Sequence, residues 1–130
     1  MKDTLSIEIP PNPKYTALVR LLASGIGRQL NLHEEEAEDL KLILTEACGL
    51  KSETEAGSTD LKIDITNDYM EIKVGPFSNS PSNSASEESR WSLDLISALA
   101  DKVEFQPSNG QHPGELKIKK NLPPLTYPRV

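Results

Sequence analysis

The chain has 130 residues, 36% of them apolar, which suffices for a single domain with its own core and no disulfide or metal staple. Twenty acidic residues against fourteen Lys and Arg leave a net charge of −6, which excludes non-specific nucleic-acid binding through a basic surface. The lone Cys48 rules out an internal disulfide, and no apolar run is long enough for a signal peptide or a membrane span, so a reducing, cytoplasmic setting is expected.

Leu5, Ile7 and Ile9 alternate with Ser6 and Glu8, the pattern of a half-buried strand, and Pro10 and Pro11 stop it. A helix is predicted over about residues 15–30, with Leu18, Leu21, Leu22, Gly25 and Ile26 as its buried stripe. Residues 31–33 make a short connection. A second helix is predicted over about residues 34–48. Glu34, Glu35 and Glu36 suit its first turn, where carboxylates favour the helix dipole. Ala37, Leu40, Ile43, Leu44 and Ala47 form its inner stripe, and Gly49 is read as its end.

Residues 51–59 read as a polar loop. Two alternating runs follow, Leu61–Ile63–Ile65 and Met70–Ile72–Val74, with Asn67-Asp68 as the turn of a hairpin that ends at Gly75-Pro76. Residues 78–89 are nearly all Ser, Asn, Pro and Glu, so a mobile loop is expected. Its exposure would suit phosphorylation, although an unmodified linker is the simpler reading. A third helix is predicted over about residues 88–100, with Leu95, Ile96 and Leu99 inward and Trp91 and Leu93 flanking. Val103 and Phe105, then Leu116 and Ile118, mark two last strands, the second with Lys117, Lys119 and Lys120 on its wet side. The order β-α-α-β-β-α-β-β predicts an α+β fold. It is a two-layer sandwich, with a mainly antiparallel sheet and three helices on one face. Residues 1–122 are taken as one domain and 123–130 as a loosely attached tail.

Chemistry is thinly represented. His33 and His112 lack neighbours at metal-ligand spacing, so no metal site is expected. Cys48, on the inner side of a helix, suits a small core residue better than a nucleophile. Gly25 and Gly27 sit inside a helical pattern, where close helix packing explains them better than a phosphate loop.

The phrases IPPNPKYTALVRLLASGIG, EEEAEDLKLILTEAC, LKIDITNDYMEIKV and WSLDLISALADKVEF…GELKIKK nonetheless resemble, in content and order, the bacterial anti-sigma-factor serine kinases. These belong to the GHKL superfamily, with the histidine-kinase-like ATPase fold. The resemblance implies an ATP site built from three motifs. In the first, Glu46 stands where the family has its base or water-positioning Glu, but the Mg²⁺-binding Asn four residues on is Leu50, which has no oxygen for a hard cation. In the second, the adenine-reading Asp falls at about Pro76, which offers neither carboxylate nor N–H. In the third, a glycine-rich turn under the phosphates is replaced by Ser89-Arg90-Trp91-Ser92-Leu93, where Trp91 and Ser92 stand without any glycine. The lid between the second and third motifs is shortened.

With these positions degenerate, no catalytic residue, nucleotide or metal is expected. The implied function is that of a non-catalytic regulator in partner switching, which binds a sigma factor or an antagonist domain and forms a homodimer. Arg20 matches the family's partner-contacting arginine, and a solvated helix charge explains it equally well. Arg90 would allow weak anion binding in the former pocket. The alternative is a residual ATP- and Mg²⁺-dependent serine/threonine kinase with Glu46 as base. A third reading is a dimerisation module of another signalling protein. Leu50, Pro76 and Trp91 are expected to fill the former nucleotide cavity together.

Overall fold

A computed structural model describes residues 2–84 and 86–124. Its elements run β1 (Asp3–Ile9), α1 (Thr16–Gln29), α2 (Glu34–Thr54), β2 (Thr59–Ile65), β3 (Tyr69–Phe77), α3 (Glu87–Leu99), β4 (Lys102–Gln106) and β5 (Gly114–Asn121). Short 3-10 turns at Pro13–Tyr15 and Pro81–Asn83 complete the list. The predicted order is the observed one. The strands form a single five-stranded sheet, β1-β2-β3-β5-β4, antiparallel throughout. The predicted tail, 123–130, lies largely outside the described residues.

Strict alternation fixes which face of the sheet is dry. Leu61, Ile63, Met70, Ile72, Val74, Leu116 and Ile118 point to the helices and are buried. The other face carries Lys62, Asp64, Glu71, Lys73, Lys117 and Lys119. There Lys73 Nζ lies 3.5 Å from both Asp64 and Glu71, and Lys117 lies 4.0 Å from Glu71. Lys119 sits 4.4 Å from the centre of the Tyr69 ring. Over the dry face α2 lies between α1 and α3 and supplies Leu40, Ile43, Leu44, Ala47 and Leu50 to the core.

Lys120, expected on the wet side of β5, instead turns to the helices, where its Nζ donates to the Leu99 carbonyl oxygen at 2.6 Å and lies 3.5 Å from Asp39. Four further details differ from the sequence reading. First, α2 does not stop at Gly49 but continues to Thr54, because Leu50 and Lys51 extend the stripe one turn beyond Ala47 and are wholly buried. The left-handed backbone comes later, at Gly57, with φ of 87°. Second, α1 buries Val19, Ala23, Ile26 and Gly27, with Leu30 buried just after it, whereas Leu18 and Leu21 are 52% and 69% exposed. Packing on α2 selects the narrower stripe: a Cβ on Gly27 would lie 3.2 Å from that of Ala37, so the two helices meet there.

Third, β3 passes through Gly75-Pro76 and ends at Phe77, with an irregular register after Val74. Phe77 is buried edge-on to Phe105, with ring centres 6.0 Å apart. Gly114 allows this, since a Cβ there would fall 2.5 Å from the Phe77 carbonyl oxygen. Fourth, the serine-rich segment is tied down at several points. Ser78 N–H and Asn79 N–H donate to Glu55, Pro81 is buried, and Ser86 Oγ donates to Glu53 at 2.8 Å while capping α3 by accepting from Ser89 N–H. A segment poor in apolar residues is thus held by polar bonds to the extra turns of α2.

Candidate functional site

Three of the candidates, Glu46, Trp91 and Ser92, come together on the outward face of α2 where α3 packs beside it. Glu46 projects from α2 and is half-buried, and it accepts a 2.7 Å hydrogen bond from Ser92 Oγ on α3. A cleft of about 790 Å³ opens beside this pair. Its lining includes Glu46, Glu53, Glu87, Glu88, Ser92 and the Trp91 ring, which is 62% exposed. Every charged residue among the described lining is acidic. Ser86 caps α3 with its side chain, and Glu87 and Glu88 fill the first turn, as a helix N-terminus favours. Ser89 is buried nearby on α3, with a hydroxyl that finds no hydrogen-bond partner among the described residues.

The structure separates the three residues expected to share this space. Leu50 turns inward and packs in the core with no exposed surface. Its position continues the Leu40–Ile43–Ala47 stripe, so helical periodicity takes it away from the cleft although it follows Glu46 by four. Pro76 lies on the open face of the sheet, in a shallow hollow with Ser6, Lys62, Lys73 and Glu115. Trp91 alone borders the cleft, and it stands on the rim without filling it. The anticipated plug of Leu50, Pro76 and Trp91 is therefore not formed.

Arg20 is exposed on α1 between Leu18 and Leu21 and lines none of these hollows. Arg90 is exposed on α3 but is not among the residues lining the cleft. Cys48 is half-buried, and burial pushes its thiol up to about 12, which keeps it from acting as a thiolate near neutral pH. His33 precedes α2 and His112 lies in the β4–β5 turn. Sequence reasoning missed Glu53 and Glu55, which looked like loop residues. The signal that would have found them was the stripe running on through Leu50 and Lys51.

No protein-family model matches the chain. It is 28% identical to the serine-protein kinase RsbW of Halalkalibacterium halodurans, over 83% of this chain and 78% of that protein. It is 27% identical to the RsbW of Bacillus pumilus and 25% identical to that of Bacillus subtilis, in each case over 83% of this chain and 81% of the other. The chain is a distant relative of the serine-protein kinases RsbW. That relationship agrees with the two-layer architecture and with the resemblance read from residues 39–48. No helix among the described residues is long and apolar enough to cross a membrane.

Proposed function

We propose that this relative of RsbW is a regulator that works by binding a protein partner, a sigma factor or the antagonist that displaces one, with Arg20 at the contact. A homodimer and a single domain over residues 1–122 complete the proposal. The observation carrying the non-catalytic form is the sign of the charge beside Glu46. A magnesium triphosphate would enter a cleft of four carboxylates with no Lys or Arg on the described lining. The residue at the metal-binding position, Leu50, is packed in the core. Such a donor set does not suit a triphosphate, because phosphoryl transfer depends on positioned cations.

A second reading keeps the kinase: an ATP-binding anti-sigma serine/threonine kinase with Glu46 as base. The comparisons favour it over loss of the nucleotide site, since the relatives over most of the chain bear the name serine-protein kinase. The half-buried Glu46 beside Ser92 is the feature that suits it. Titration calorimetry with ATP and Mg²⁺ separates the two. Heat at micromolar strength supports the kinase, and its absence at millimolar ligand supports the non-catalytic regulator. Affinity capture compares the native chain with Arg20→Glu. Capture of a sigma factor or antagonist that is lost in the variant supports partner switching, and equal capture by both removes Arg20 from the contact.

A further inference from the structure

Two hollows flank the outward face of α2. One is the acidic cleft toward α3. The other, about 680 Å³, opens toward α1 and is walled by Pro10, Pro13, Tyr15, Val19 and Cys48, with Glu55 among its lining residues. Both volumes lie in the range of sites that bind small groups or side chains. The hollows share Glu46, Gly49 and Ser52, three residues spaced one turn apart on the same face of α2. Gly49 is thus the crest between them. A Cβ built on Gly49 would meet nothing within 4 Å, so the crest is bare backbone open to solvent.

Charge and shape limit what can lie across it. Among the described residues, the charged side chains lining both hollows are Glu46, Glu53, Glu55, Glu87 and Glu88, and none is basic. An anionic occupant of the cleft toward α3 meets only carboxylates among the charged lining. Trp91 presents an exposed indole to the cleft, a surface on which a guanidinium or ammonium group stacks with gain. The proline and tyrosine walls of the other hollow offer an apolar seat. A missing side chain at the crest lets a second backbone cross α2 at close range.

We infer that an extended, basic segment of a protein partner lies across α2 at Gly49. Its Arg or Lys side chains enter the acidic cleft against Trp91, and an apolar side chain enters the proline–tyrosine hollow. This rests on the protein-binding reading above and gives that partner its chemistry.

The test uses the full chain and a short fluorescein-labelled peptide of alternating Leu and Arg, with a Leu–Glu peptide as control. The Leu–Arg peptide binds, quenches the single tryptophan and weakens with salt, while the control does not bind. Gly49→Trp adds bulk at the crest, where a Cβ meets nothing within 4 Å, leaves the net charge at −6 and weakens binding about tenfold or more, with circular dichroism unchanged. Trp91→Ala weakens it by a similar factor, about tenfold. Because Gly49→Trp keeps the charge, its effect distinguishes the groove from diffuse attraction to an acidic protein. Equal affinity for the two peptides, or full affinity in Gly49→Trp, overturns the inference. So does displacement of the Leu–Arg peptide by ATP with Mg²⁺. Arg20-dependent capture of a sigma factor by a chain that ignores the Leu–Arg peptide overturns this inference alone and leaves the protein-binding reading standing.

Discussion

A lysine with no exposed surface must satisfy its ammonium group from within, and Lys51 does so at the end of α2. Its Nζ donates to the carbonyl oxygens of Ala56, Gly57 and Ser58 at 3.1, 3.1 and 2.7 Å. That bond set folds the chain after α2 back on itself and holds the loop that follows Glu55. Replacing Lys51 with Met keeps the buried stem but leaves three carbonyls without a donor. The expected loss is about 2–3 kcal/mol, read as a lower urea midpoint with an unchanged slope. Nothing in the polar run after Gly49 advertises this role, since a lysine there looks like loop surface. Only its place four residues after Ala47 links it to the core stripe. Cys48, next to the same stripe, was legible as an inert packing residue. Its thiol, raised to about 12 by burial, should react with a disulfide reagent at neutral pH much more slowly in the folded chain than after urea unfolds it. Fast modification of the folded protein would contradict the burial.

At the scale of elements, the strand faces and the ends of α1 and α3 were readable, and the C-terminal ends of α2 and β3 were not. Alternation with period two leaves one solution for each strand, and a slip of one residue would expose Ile63 or Ile72. Helix α2 outran its glycine because one residue of low propensity costs only about 1 kcal/mol against the burial of Leu50. The Glu46–Ser92 bond shows the same limit for the site. Its partners stand on different helices, 46 residues apart, and no local pattern joins them. Ser92→Ala should cost about 1–2 kcal/mol by freeing a half-buried carboxylate acceptor, measured as a fall in urea midpoint.

The open face of the sheet adds a pH dependence. Burial alone would raise Asp64, but the Thr4 hydroxyl at 2.7 Å and the charges of Lys2, Lys73 and Lys62 outweigh it and hold the carboxyl below its ordinary value. A depressed folded value means that the ionised form stabilises the fold above the unfolded pKa of about 3.9. This stability is lost as pH falls through the lower folded value. Lys73 moves the other way. Burial lowers it, yet Asp64 and Glu71 carry it above its ordinary value, so its contribution is lost only as pH rises through that raised value. Asp64→Asn should therefore flatten the acid limb of the stability curve below about pH 5, measured by urea unfolding across pH.

At the scale of the whole molecule, the question is which apolar surface the fold leaves uncovered. Apolar residues on α1 run more than halfway round the helix, so its sequence admits two buried stripes. The choice between them depends on where α2 lies, which is a tertiary fact. With Gly27 set against Ala37, the Val19–Ala23–Ile26 side faces the core. The Leu18–Leu21–Leu22 side faces a groove beside the free edge of β1, where Leu5 is 39% exposed. A pair of substitutions tests this orientation directly. Val19→Ala removes two buried methyl groups and should cost about 2 kcal/mol. Leu21→Asp, at a position 69% exposed, should change stability by less than about 0.5 kcal/mol despite the larger chemical change. The stripe read from the sequence demands the reverse order, with Leu21→Asp burying a charge and Val19→Ala nearly silent. Urea midpoints of the two variants decide between the two orientations of α1. They also decide whether the surface around Arg20 is free to meet a partner.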